Sequence, residues 1–279
     1  MKYRFLKYSL SVVCMFAVSA MAQNDVSDSE TSAANLLEKA DSYYRQHAPD
    51  SALFVLWQYM ELQPMDAEAY YLEGKIYFDA KNYEKAVSSF SKVLFLQADA
   101  AKAYNDRGSA YRMMKAYNKA LADYDEAIRL QPKAVYYNNR ASVLMKLEDF
   151  EAAIADYNQA CALDSTYYIA LNNRGLAYMK TADFELAVDD FTACIRLNPS
   201  YYQAYTNRGI AYYKLREFEK SLSDFDKVVS LNPNGMAYLH RGNIKDMLED
   251  KAGACEDWSR AEALGVKSAS ESLKFINCK

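Results

Sequence analysis

Histidine is almost missing from this chain: His47 and His240 are the only two in 279 residues. Cysteine is nearly as scarce. Cys14, Cys161, Cys194, Cys255 and Cys278 fall at no C-x-x-C or comparable ligand spacing, so no metal site and no other cofactor is expected. No nucleophile or acid–base constellation is legible, and no catalytic residue is expected. Long apolar runs are few. The one at the start, Leu10 to Val18, follows Lys2, Arg4 and Lys7 and precedes Ala20-Met21-Ala22, the pattern of a signal peptide over residues 1–22 cleaved near Ala22. Cys14 as a lipid anchor would want a small residue just before it, and Val13 stands there instead. No other run approaches bilayer length, so the expectation is an exported protein, periplasmic or secreted, without membrane insertion. Positive charge is also lacking. Without the first 22 residues, 30 Lys and Arg face 37 Asp and Glu, a net charge of −7 that argues against nucleic acid as a partner. Residues 23–32, QNDVSDSETS, are polar and acidic and read as a loose leader.

What the chain does have is repetition. NNRGLAY at 172–178 echoes NDRGSAY at 105–111 and TNRGIAY at 206–212. The small residue of the phrase stands at Gly108, Ala141, Gly175, Gly209 and Gly242, with steps of 33, 34, 34 and 33; Gly74 and Ala40 continue the series backwards at 34. The downstream segments repeat too, as in KALADYDEAIRLQP at 119–132 and LAVDDFTACIRLNP at 186–199. Apolar residues spaced i, i+3, i+4, i+7, such as Tyr104, Gly108 and Tyr111, then Ala120, Tyr124 and Ala127, predict two amphipathic helices per unit. Asn82, Asp149 and Asp183 stand where the second helix needs an N-cap.

The unit resembles the tetratricopeptide repeat, with Gly or Ala at position 8, Tyr at 11, Ala at 20, an aromatic at 24 and Pro at 32 (Pro64, Pro132, Pro199, Pro233). The resemblance implies an all-α, right-handed solenoid of about seven helix-turn-helix repeats with a concave inner face. The repeats are 33–66 (degenerate), 67–100, 101–133, 134–167, 168–201, 202–234 and 235–267, closed by a capping helix at 268–279 in which Leu273 and Phe275 or Ile276 face the last repeat. The two histidines fall in repeats 1 and 7, too far apart to share a site.

Three further columns emerge. Position 7 is Arg107, Arg140, Arg174, Arg208 and Arg241, and position 23 is Asp123, Asp156, Asp190, Asp224 and Asp257, always 16 residues on. An Arg–Asp pair fastening the two helices of one repeat is the economical reading, against an anion-binding arginine ladder. Position 5, on the inner face that the resemblance implies, is Asn105, Asn138, Asn172 and Thr206; position 6, at its margin, is Asn139, Asn173 and Asn207. Exposed amides in a column could bond the backbone of an extended peptide, although Asn at position 6 is common in such repeats. Positions 12 and 13 add Arg112, Met179, Tyr213, Lys146, Lys180 and Lys214. These lysines suit an acidic or carboxyl-bearing peptide, and equally a helix C-terminus. The clamp of the chaperone-binding subfamily, with Lys at position 5 and Arg at 6, is absent. Cys255, in the second helix of repeat 7, should pack near Cys278, and the pair resembles the ending of some exported bacterial tetratricopeptide proteins; a disulfide there is favoured over Cys161–Cys194.

The leading expectation is an exported, non-catalytic scaffold holding an extended segment of another protein. The alternative is a structural spacer or self-assembling component acting through its outer face or ends.

Overall fold

The computed structural model describes residues 33–275 and 278. The signal peptide and leader, and Ile276 in the closing segment, lie outside the described residues, as does the side chain of Phe275. The described chain is helical and contains no strand. Its helices are α1 (33–45), α2 (Pro49–Leu62), α3 (Ala67–Asp79), α4 (Tyr83–Leu96), α5 (Ala101–Met113), α6 (Tyr117–Leu130), α7 (Ala134–Lys146) and α8 (Phe150–Leu163). They continue as α9 (Tyr168–Thr181), α10 (Phe184–Leu197), α11 (Tyr202–Lys214), α12 (Phe218–Leu231), α13 (Gly235–Met247), α14 (Lys251–Ala263) and α15 (Lys267–Phe275). Odd-numbered helices up to α13 are the first (A) helices of successive repeats and even-numbered ones the second (B) helices.

The fold is an all-α tetratricopeptide solenoid, and its contacts divide into two compact units between Asp123 and Tyr124. In the first unit α3 packs on α2 and α4, and α4 on α5. Its core is Ala40, Ala52, Leu56, Leu72 and Ile76, followed by Ala86, Phe90 and Ala110. In the second unit each helix from α7 to α15 packs on its chain neighbour, and A helices also touch the next A helix, α7 on α9 and α9 on α11. Its core residues are small at positions 8 and 20 and aromatic at 24. Phe191 lies so close over Gly175 that a Cβ there would sit 2.6 Å from the ring, which is why the position takes no larger residue in that repeat.

Each A-to-B turn places one non-glycine residue in the left-handed region: His47, Lys81, Lys115, Glu148, Ala182, Arg216 and Glu249, with φ from 57° to 64°. All seven are position 15 of their repeats. B helices then start on side-chain caps in several repeats, Asn82 accepting from Lys85 N (3.3 Å), Asp149 from Ala152 N (3.2 Å) and Asp250 from Gly253 N (2.9 Å). Asp183 departs from the expected cap: its carboxylate accepts from the Thr181 hydroxyl instead and makes no bond to the helix N-terminus. A threonine two residues upstream is a nearer donor than the amides of the first turn.

Candidate functional site

Five arginines on the A helices each meet an aspartate on the B helix of the same repeat through two parallel bonds. Nε donates to Oδ2 and Nη2 to Oδ1 in Arg107–Asp123, Arg140–Asp156, Arg174–Asp190, Arg208–Asp224 and Arg241–Asp257, at 2.6–2.9 Å. The aspartates are buried. Hydrogen bonding to Asp190 holds the Arg174 guanidinium well above its usual range, so the arginine stays charged. Burial pushes the Asp257 carboxyl up, but bonds from Arg241 and Lys245 outweigh it and hold it below the ordinary carboxylate range. Guanidinium groups also lie over tyrosines, Arg107 on Tyr104 at 5.5 Å and Arg208 on Tyr205 and Tyr212 at 5.8 Å.

The third guanidinium nitrogen reaches backwards. Nη1 donates to position 25 of the preceding B helix: Arg107 to Ser91, Arg140 to Asp125, Arg174 to Asn158, Arg208 to Thr192 and Arg241 to Asp226, at 2.6–3.0 Å. Each arginine thus fastens two helices of its own repeat and one of the repeat before. Each of its three nitrogens holds a protein partner, and its charge is met by the aspartate of its own repeat, which favours the bracket over an anion-binding ladder. Repeat 2 uses the same three positions with the donors exchanged: Glu73 accepts from Ser89 Oγ (2.7 Å) and from Trp57 Nε1 (3.1 Å).

The amides are placed differently from the sequence expectation. Asn105, Asn138 and Asn172 are 6%, 6% and 4% exposed, so they do not form an open column. Position 6 of one repeat donates to position 5 of the repeat before it: Asn173 Nδ2 to Asn138 Oδ1 at 3.0 Å and Asn207 Nδ2 to Asn172 Oδ1 at 2.9 Å. In the first unit Asn105 Nδ2 donates to Asp106 (2.8 Å), which also accepts from the Tyr71 hydroxyl. The physical reason is proximity. Consecutive A helices pack side by side, so an amide at position 5 meets its neighbour's position 6 before any ligand can. Asn139 is half-buried on α7. Thr206 turns back to bond Tyr202 O of its own helix (3.1 Å).

What remains open on the A-helix face of the second unit is a different set. Lys146, Lys180 and Lys214 are exposed in the last turns of α7, α9 and α11, and none has an ion-pair partner among the described residues. Met145 and Met179 are half-buried beside them and Tyr213 is exposed. Position 2 contributes Val135, Ile169 and Met236, at 39%, 36% and 50% exposure, and position 9 contributes Leu176. The sequence reading gave the lysines but not this apolar strip, whose signal is the aliphatic residue at position 2 of repeats 4, 5 and 7, interrupted by Gln203 in repeat 6. Arg112, on α5 in the first unit, is half-buried, and its Nε is enclosed without a hydrogen-bond acceptor.

Cys255 and Cys278 lie against each other with Cα atoms 5.6 Å apart, joining α14 to the closing segment, where Leu273 also packs against the cluster of Leu239, Ala254, Trp258, Ala261 and Ala269. Cys194 is buried and its thiol is pushed up to about 11 by that burial; Cys161 is shifted the same way. Neither has the thiolate character of a nucleophile. Among the described residues no three His, Cys, Asp or Glu side chains gather as a metal site. No helix among them is long and apolar enough to cross a membrane.

Family models described as tetratricopeptide or TPR repeats match residues 14–101, 101–133, 141–181, 168–201 and 202–234. No curated protein matches the sequence. Among solved structures, YrrB, described as a TPR protein with an unusual peptide-binding site, is 25% identical, with 66% of this chain and 96% of that one covered at a TM-score of 0.55. A tetratricopeptide repeat protein from Parabacteroides merdae is 22% identical over 88% of this chain and 98% of its own, with a TM-score of 0.64. PilF of Pseudomonas aeruginosa is 21% identical over 76% and 97%, with a TM-score of 0.66. The family models cover most of the chain between residues 14 and 234, and six of the seven described repeats carry an aromatic at position 24, repeat 1 having Leu56 there: the chain belongs to the tetratricopeptide repeat proteins.

Proposed function

We propose that the protein is an exported, non-catalytic scaffold that holds an extended, acidic segment of another protein against the A-helix face of repeats 4–6. The observation that carries this reading is the row of Lys146, Lys180 and Lys214, exposed, one per repeat, without ion-pair partners among the described residues, beside an apolar strip. Solvated cations next to Met179, Leu176 and Ile169 suit a ligand that brings both carboxylates and apolar side chains. The amides contribute by spacing the helices that carry this face, since their own bonding capacity is largely taken up between repeats. The peptide-binding site named for YrrB is consistent with this use of the fold. Export rests on the charged, apolar and small-residue succession of residues 1–22. An oxidising destination agrees with a Cys255–Cys278 disulfide.

The test is in-cell crosslinking of the mature protein, comparing the wild type with the Lys180→Glu/Lys214→Glu variant. Reversal should reduce capture of the crosslinked partner, and rising salt should do the same in vitro. Wild-type yield from the variant would move the working surface elsewhere. A second reading, self-assembly through the outer surface, draws on Phe54, Met65 and Phe95, which are 62%, 69% and 85% exposed in the first unit. Concentration-dependent mass in light scattering, lost on Phe95→Ser, would support it.

A further inference from the structure

Between repeats 6 and 7 the amide bridge found in the two preceding junctions is missing, and a cavity lined in part by His240 opens at this junction. Position 5 is Thr206, bonded to its own helix, and position 6 of the following repeat is His240, whose ring stacks on Phe225 with centroids 5.2 Å apart. The cavity beside them measures about 290 Å³. Its walls are apolar at Ile210, Phe225 and Ile244, and its rim carries Tyr213, Lys214, His240 and Asn243. Trp258 Nε1 donates to Asn243 Oδ1 (2.8 Å), which fixes that amide and leaves its Nδ2 unbonded. The Tyr213 hydroxyl, Lys214 Nζ and the His240 nitrogens likewise have no hydrogen-bond partner among the described residues. Burial holds the imidazole below its usual range, so at neutral pH the charge at this rim is that of Lys214.

An apolar hollow ringed by unused polar groups has the character of a binding site, and its volume falls just under the range of about 300–1,000 Å³ typical of small-molecule pockets. It has room for one side chain. Charge changes sign across it. Towards repeats 5 and 4 lie Lys180 and Lys146; on the other side an adjoining cavity of about 400 Å³, sharing Tyr213 and Asn243, is lined by Asp246 and Glu271.

We propose that this cavity anchors one bulky apolar side chain of an extended peptide, with acidic residues of that peptide lying over Lys214, Lys180 and Lys146 and a basic residue over Asp246 and Glu271. The inference rests on the groove reading above and gives it a sequence preference.

The test uses labelled synthetic peptides carrying an acidic run, one Phe and one Lys, made in both chain directions, with matched peptides in which Phe is replaced by Ala. They are titrated into the mature protein by fluorescence anisotropy. One direction should bind, and its Phe peptide should bind about tenfold or more tighter than its Ala counterpart. Ile210→Phe/Ile244→Phe, which fills the cavity from two of its apolar walls, should erase that preference. Tyr213→Ala removes an exposed wall, so it keeps the test valid should the double variant fold poorly, and it too should erase the preference. Equal affinity of Phe and Ala peptides in both directions, or a preference that survives both variants, overturns the anchor. If those peptides still lose affinity on Lys146→Glu/Lys180→Glu, the groove reading stands without it. If no peptide binds, both fall.

Discussion

Removing either member of the Arg174–Asp190 pair should cost more than a surface ion pair is worth. The two side chains are 21% and 7% exposed, and two bonds of 2.6 and 2.7 Å join them. Exposed pairs contribute about 0.2–1 kcal/mol, whereas stripping one partner from a buried pair costs about 3–5 kcal/mol. Arg174→Ala belongs near the upper case, because it leaves an enclosed carboxylate with no cation, and a loss of about 3 kcal/mol is expected. Asp190→Ala should cost less, about 2 kcal/mol, since Arg174 keeps its bond to Asn158 and one fifth of its side chain meets water. The double variant should then lose about 3 kcal/mol in total, a coupling of about 2 kcal/mol. Arg174→Lys keeps the charge but not the fork and should fall between wild type and Arg174→Ala. Urea unfolding followed by circular dichroism gives the four corners of the cycle, and hydrogen exchange in α9 and α10 localises the loss where the array does not unfold in one step. Additivity within about 0.5 kcal/mol would refute the bracket.

Asn172→Ala should destabilise by about 1–2 kcal/mol, because it strips the acceptor from Asn207 Nδ2 in a buried setting; thermal melts of the two proteins check this, and an unchanged melting temperature would return the amide to the solvent-facing role. Asp257→Asn should be costly at neutral pH and progressively less so in acid. The folded carboxyl titrates below its unfolded value, so its stabilising contribution is complete above the unfolded pKa and is lost as pH falls through the folded one. Urea midpoints of wild type and variant at a series of pH values should therefore converge below about pH 4, and a constant gap would contradict the assignment. Protein purified from its native compartment should show no free thiol at Cys255 or Cys278 by alkylation and mass spectrometry, and reduction should loosen α15 first in hydrogen exchange.

The architecture was legible because the rare residues are spent on geometry. Glycine at position 8 answers to a ring at position 24, and proline at 32 marks where a helix stops, so a handful of positions fixes the period. The arginine and aspartate columns were legible for the same reason, each being matched in presence and spacing. Position 25 was overlooked because its members, Ser91, Asp125, Asn158, Thr192 and Asp226, share only the ability to accept a hydrogen bond, a property hidden under five sites and four residue types. The left-handed turn residue at position 15 left no trace either, since none of its seven occupants is glycine. The amides were read on the correct helix but with the wrong neighbour. Periodicity along one helix says which side a residue faces, whereas the distance to the next A helix decides whether water or another amide meets it.

The exchange of donor and acceptor in repeat 2 amounts to a joining rule. Repeats 2 to 6 each offer an acceptor to the successor at position 25, and repeats 3 to 7 each extend a guanidinium to the predecessor, so repeats 3 to 6 share one joining polarity at both ends. Trp57 offers a donor, and only Glu73 can receive it. Excising residues 67–100 would bring the guanidinium of Arg107 against an indole N–H, donor on donor, while a helix pair that docked one repeat out of step during synthesis would meet the same mismatch. The start of the array is therefore recognisable to the rest of it by hydrogen-bond polarity alone, which gives a run of near-identical units a fixed point from which to count.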